Sequence, residues 1–164
     1  MIALRALSLE DALQVVAWRN RHPEALRTPF PLTAEMQAAW YREVVCDRSA
    51  RARFWAVDGG GTLVGMIGLV DIQWENGLAE ISLMIDPALR RRGHGKAALD
   101  LVLEEAFDRM GLLTVWGECY ECNPAIAFWQ RECARRGAII ARLPRRKRWA
   151  GRLWDALHFS FARG

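Results

Sequence analysis

The run Arg90-Arg91-Arg92-Gly93-His94-Gly95-Lys96 holds the residue types and spacing that bind an anion. It follows the apolar stretch Ile81-Ser82-Leu83-Met84-Ile85 and opens an amphipathic stretch from Leu99 to Phe107, so it reads as strand, glycine loop, helix. Such a loop gathers backbone N–H groups at the positive end of a helix dipole, which is a phosphate site. Glycine lets the backbone approach the anion with no Cβ in the way. The arginines and Lys96 add charge that can reach outlying phosphates.

Two common phosphate loops do not match. In G-x-x-x-x-G-K-[ST], Arg90 stands where the first glycine belongs and Ala97 replaces the magnesium-binding hydroxyl. In G-x-G-x-x-G, Ala98 replaces the last glycine and the segment lies past mid-chain. The pattern that fits is Arg90-x-x-Gly93-x-Gly95. In this setting it resembles the acyl-CoA-binding loop of the GNAT N-acetyltransferases.

The flanking elements have to position that loop. Ile2–Ala6 reads as a strand. Ser8, with Asp11 three residues on, caps a helix whose buried face is expected to be Leu9, Leu13, Val16 and Ala17. After a proline-bearing loop, Thr33 starts a second helix with a stripe of Met36, Trp40 and Val44. Strands follow at Phe54–Val57, Leu63–Val70 and Leu78–Ile85, with turns at Asp58–Gly61 and Glu75-Asn76-Gly77. A helix spans Gly95–Met110, a strand Leu112–Tyr120, and a helix runs from Asn123-Pro124 to Gly137. Ala138–Leu143 and Leu157–Phe161 close the chain around a basic loop, Arg145-Arg146-Lys147-Arg148-Trp149. The expected class is α/β (α+β): one domain over 1–164 with a mixed, mostly antiparallel sheet flanked by helices. This order of elements agrees with the GNAT order across almost the whole chain.

What the resemblance implies is specific. The strand before the loop splays from the strand after the following helix, and the cofactor lies in the cleft between them. Leu83, Met84 and Ile85 would offer backbone to its pantetheine arm. Arg90, Arg91, Arg92, Gly93, His94, Gly95 and Lys96 would hold its phosphates. Asn123 would contact the arm, and Trp129 stands where many members place a tyrosine that protonates the CoA thiolate. An indole N–H is no useful acid, and a core aromatic is the alternative reading of Trp129. Tyr120, at the end of the cleft strand, is the replacement acid. A general base would help a protonated amine attack the thioester. Glu118 is the first candidate, at the offset used in the subgroup that acetylates ribosomal-protein N-termini. Glu80 is the second, on the strand that serves in histone-type members. Their strand faces are open at this point. Arg5, Asp11 and Trp18-Arg19-Asn20 also resemble the ribosomal-protein subgroup and its branches that act on nucleotide-linked amino sugars or antibiotics.

Bulk properties set limits. With 164 residues, 52% hydrophobic and 26% charged, the chain is globular. Its net charge of +4 suits an anionic cofactor. The four cysteines are expected as reduced thiols. Cys119-x-x-Cys122 lacks a second ligand pair, so no metal is expected. Trp18, Trp40 and Trp74 could line an acceptor pocket or simply pack. The expected activity is an acetyl-CoA-dependent N-acetyltransferase acting on a small-molecule or peptide amine. The setting is cytoplasmic, with no membrane or nucleic-acid partner, in a monomer or homodimer. The rivals are a non-catalytic acyl-CoA-binding module and an RNA-binding domain.

Overall fold

Ser8 turns the chain from β1 (Ala3–Ala6) into α1 (Leu9–Arg21) through the expected capping box. Its Oγ accepts the Asp11 N–H at 3.1 Å, while Asp11 Oδ2 accepts the Ser8 N–H at 2.9 Å. Arg5 grips both Asp11 oxygens, at 2.6 and 2.9 Å, and reaches Asp58 on β2 (Arg53–Asp58) at 3.1 Å. One arginine therefore ties β1, α1 and β2 together. This pull rotates α1 from the expected face. Asp11, Ala12, Val15 and Trp18 are buried, whereas Leu9 and Leu13 are exposed. The large Trp18 surface and the Asp11 ion pair outweigh a leucine stripe.

These elements belong to a computed structural model that describes residues 1–164. Thr33 caps α2 (Ala34–Trp40), which continues as a wide π turn, Tyr41–Val45. The wide turn advances the phase by one residue, so Val45 packs against the buried cluster alongside Trp40. Met36 is exposed and Gln37 buried in its place.

β2, β3 (Leu63–Gln73) and β4 (Leu78–Ile85) form the expected antiparallel meander, β3 running slightly beyond Val70. α3 (His94–Glu104) again ends in a π turn, Glu105–Arg109. β5 (Thr114–Tyr120) and α4 (Ile126–Arg136) follow, α4 closing on Gly137 in the left-handed conformation.

The end of the chain differs most from expectation. The basic segment is not a loop. It is the second half of β6 (Ile139–Trp149), an eleven-residue strand paired with an equally long β7 (Arg152–Ala162). The hairpin turns on Ala150 and Gly151, at φ +49° and +74°. Pro144 and Arg145, the latter at φ +55°, sit where the pairing register shifts. A bulge on an edge strand is where proline and unpaired charge are tolerated.

The seven strands order as β1-β2-β3-β4-β5-β7-β6, with only β4 and β5 parallel. Helices cover both faces. A cluster of 19 buried residues joins α3 and α4 to one face through Leu99, Val102, Trp129, Ile67, Val115 and Phe159. A smaller cluster of 7 joins α1 to the other through Val15, Trp18, Ala56 and Met66. No helix is long and apolar enough to cross a membrane.

Candidate active site

The parallel strands β4 and β5 pair only over Leu78–Glu80 and Thr114–Trp116. Beyond that rung they fork. Residues 81–85 of β4 stay bonded to β3 alone, and residues 117–120 of β5 to β7 alone. The inner edges of both strands thus carry backbone donors and acceptors with no strand partner. Such groups demand a partner, and an extended amide-bearing molecule supplies one by strand addition. Leu83, Met84 and Ile85 lie on this open edge. Gly117, just past the fork, has no Cβ because Phe159 packs against it: an added carbon would lie 2.5 Å from that ring.

β4 leads straight to the anion loop. Asp86 Oδ1 accepts the Ala88 N–H and sets a short turn, Pro87–Leu89. Arg91 then takes φ +64° and Gly93 φ +83°, two left-handed residues within three. This bends the chain so that α3 starts with no side chain on its N-terminus. The first turn bond runs from Ala97 N to Gly93 O, leaving the N–H groups of His94, Gly95 and Lys96 without intrahelical acceptors. A Cβ at Gly93 would meet nothing within 4 Å, so the site is open there. Gly95 lies against Phe128 and Ile85, where α3, α4 and β4 converge. Arg90, Arg91 and Arg92 are exposed, and Lys96 is held by Asp100 at 2.8 Å.

Across the fork, Asn123 starts the α4 segment. Its Oδ1 accepts the Ala125 N–H at 2.8 Å, which leaves the side-chain amide N–H groups available. Trp129 is buried, stacked on Phe159 at 4.6 Å and edge-on to Phe128 at 5.0 Å. Its place is the core.

The face of the sheet under α1 carries the titratable groups. Ala79 and Ile81 belong to the α3–α4 core, so Glu80 points the other way; by the same alternation Trp116, Glu118 and Tyr120 share that face. Glu80 is buried at the fork itself and ion-paired to Arg27, from the loop between α1 and α2. Arg27 stands beside the Tyr120 hydroxyl as well, and Glu80 raises its pKa still further above the ordinary arginine value. The Glu118 carboxylate is 5% exposed and accepts two bonds from Arg146, at 3.1 and 3.3 Å. Lys147, also buried, donates to the Leu26 carbonyl and sits 5.0 Å above the Tyr120 ring and 5.8 Å from the Trp149 ring. Burial lowers its pKa from the usual lysine value.

The structure thus brings Glu80, Glu118 and Tyr120 together on one side of the fork. Leu83–Lys96 and Asn123 border its other end. Arg27 and Lys147 were not singled out from sequence. Lys147-x-Trp149 has the period of a strand and could have signalled Lys147. Arg27 sits in a loop with no local pattern. Trp18 and Trp40 pack in the smaller core and Trp74 is an exposed turn residue, so none lines this site. The indoles near it are Trp116, stacked on His158 at 5.3 Å, and Trp149.

No group of three or more His, Cys, Asp or Glu side chains is arranged to hold a metal ion. Cys119 and Cys133 are buried thiols, pushed up to about 12 and about 11 by burial. A shallow cavity of about 180 Å³ behind α4, lined by Gln130, Cys133, Ile140 and Leu157, contains none of the site groups.

Comparison with known proteins gives the same direction. No curated protein sequence matches. Among solved structures, spermidine N-acetyltransferase from Vibrio cholerae, described as dodecameric, superposes with a TM-score of 0.80 at 20% identity, over 98% of this chain and 93% of that one. An N-acetyltransferase from Staphylococcus aureus Mu50 does so with a TM-score of 0.81 at 16% identity, over 99% and 98%. At such identities the likeness is one of fold. The family model described as "Acetyltransferase (GNAT) domain" matches residues 2–128, a span that holds the forked strands, the anion loop and the start of α4. The chain belongs to the GNAT family of acetyltransferases.

Proposed function

We propose that this N-acetyltransferase moves an acetyl group from acetyl-CoA to a primary amine by direct attack in a ternary complex at the β4–β5 fork. The observation that carries the reading is the halt in pairing at Glu80 and Trp116, which leaves an open strand edge leading to an uncapped helix N-terminus. That edge suits the amide-bearing arm of CoA, and the N–H groups of His94, Gly95 and Lys96 suit its diphosphate. Arg90, Arg91 and Arg92 reach outlying phosphate oxygens, and the Asn123 amide donates to the arm. Trp129 supports the fork from within the core.

Acetyl-CoA supplies the acyl group as a thioester. The chain's own residues must orient the amine, take its proton and return one to the sulfur. Glu118 is the proposed base, directly or through a water, with Glu80 in reserve. Each carboxylate is positioned by an arginine, Glu80 by Arg27 and Glu118 by Arg146. Tyr120, between Arg27 and Lys147, is the proposed acid for the thiolate.

The acceptor is a protein N-terminus, an amino sugar or another small amine. The likeness to the ribosomal-protein subgroup rests on Arg5, Asp11 and Trp18, which serve here to join α1 to the sheet. A cytoplasmic location and a monomeric or homodimeric state belong to the same proposal. Mass spectrometry on a metabolite and peptide panel tests it. Acetyl-CoA-dependent N-acetyl products are expected with no added metal. CoA binding with no product from any amine would instead indicate a binding module.

A further inference from the structure

We infer that the amine acceptor carries an oxyanion, a phosphate or a carboxylate, clamped between Arg27 and Arg146; this rests on the acceptor side proposed above. Both carboxylates on that face are already neutralised. Glu80 is held by Arg27 from the α1–α2 loop, and Glu118 by Arg146 from the β6 bulge. The two arginines therefore come from separate elements, one beside each arm of the fork. Their side chains remain 64% and 51% exposed. A guanidinium has five N–H donors, and Arg146 spends its Nε and one Nη on a single oxygen of Glu118. Each arginine keeps donors turned to solvent while its carboxylate fixes its position.

Nearby charge has the same sign. Lys147 lies buried between the two arginine-bearing segments and makes no ion pair, donating to a carbonyl and facing two aromatic rings, with the Glu24 carboxylate close enough to act on it through space. Arg145 beside the bulge is exposed and its guanidinium also lacks an acidic partner. The exposed groups that face solvent between the two arms are guanidinium groups, since Glu80 and Glu118 are both covered by their arginines. A polyamine entering here would bring positive charge against guanidinium groups, whereas an oxyanion meets preplaced forked donors.

The test has two arms. Turnover is compared among ethanolamine, O-phosphoethanolamine, β-alanine and spermidine. O-phosphoethanolamine or β-alanine should exceed ethanolamine at least tenfold in kcat/KM, and which of the two leads identifies the anion. Independently, protein saturated with CoA, whose own phosphates occupy the α3 loop, should bind inorganic pyrophosphate by calorimetry. Arg27→Lys with Arg146→Lys keeps the charges and ion pairs but removes the forks, and should weaken that binding about tenfold with CoA affinity unchanged. Pyrophosphate that does not bind, or binds equally to the double variant, overturns the inference. So does turnover of spermidine or ethanolamine equal to that of the anionic amines. Failure to bind CoA at all would instead remove the underlying donor site.

Discussion

At the residue scale, the two carboxylates differ in position. Glu80 belongs to the last paired rung, whereas Glu118 lies two residues into the open arm of β5. In the proposed reaction the thioester lies along the open edge, and the amine is taken to approach from the Glu118 side. Glu118→Gln should therefore slow turnover by about 10²-fold or more, with CoA affinity nearly unchanged. Glu80→Gln measured beside it should cost less. A silent Glu118→Gln with a large loss in Glu80→Gln would move the base to β4. Asp11 makes a prediction of a different kind. The Arg5 ion pair holds its carboxyl at about 2, below its ordinary 3.8. A depressed folded pKa means stabilisation that is complete above about pH 4 and drains as pH falls toward 2. Urea midpoints across that window should fall in the wild type and fall less steeply in Asp11→Asn. At neutral pH that variant keeps the Ser8 cap but loses the ion pair with Arg5, at a cost of about 1 kcal/mol.

At the element scale, β4, the loop and α3 were legible because each announces itself locally. An apolar strand, two glycines and an amphipathic helix need no distant information. The capping box of α1 was legible for the same reason. Its buried face was not, since the Arg5 that holds Asp11 is itself held by Asp58, which is remote from the helix in sequence. The β6–β7 hairpin was hidden by its composition. Edge strands take charged residues without loss, and the buried member of the basic run is a lysine, not an apolar residue. Glu118 and Glu80 were legible as candidate bases, but their common face was not. It depends on a register between segments more than thirty residues apart. Trp129 was open to two readings, a cofactor-side aromatic and a core residue, and its packing is that of the second. It occupies the aromatic position of α4 but lies against Phe159 under the fork. Trp129→Ala should cost roughly 3–5 kcal/mol in denaturant unfolding, the range for a large core truncation. A loss of activity at full stability would assign it to the cofactor instead.

At the scale of the whole molecule, the sheet separates two tasks. The larger core, under α3 and α4, fixes the anion loop relative to the open edge of β4. The smaller one, under α1, carries the loop that brings Arg27 to Glu80. In the proposed reaction, donor and acceptor meet at the fork. This division makes one position decisive. Gly93 is left-handed and an added Cβ there meets nothing, so Gly93→Asp strains the loop slightly and leaves both cores untouched. Its carboxylate, however, would stand at the free N–H groups of α3 and repel a diphosphate. Calorimetry of acetyl-CoA against the wild type and Gly93→Asp tests the account most directly. Binding to the wild type, abolished in a variant that melts like it, is the result expected. A wild type that binds no acetyl-CoA, or a folded variant that binds it equally well, would contradict the placement of the donor at this loop.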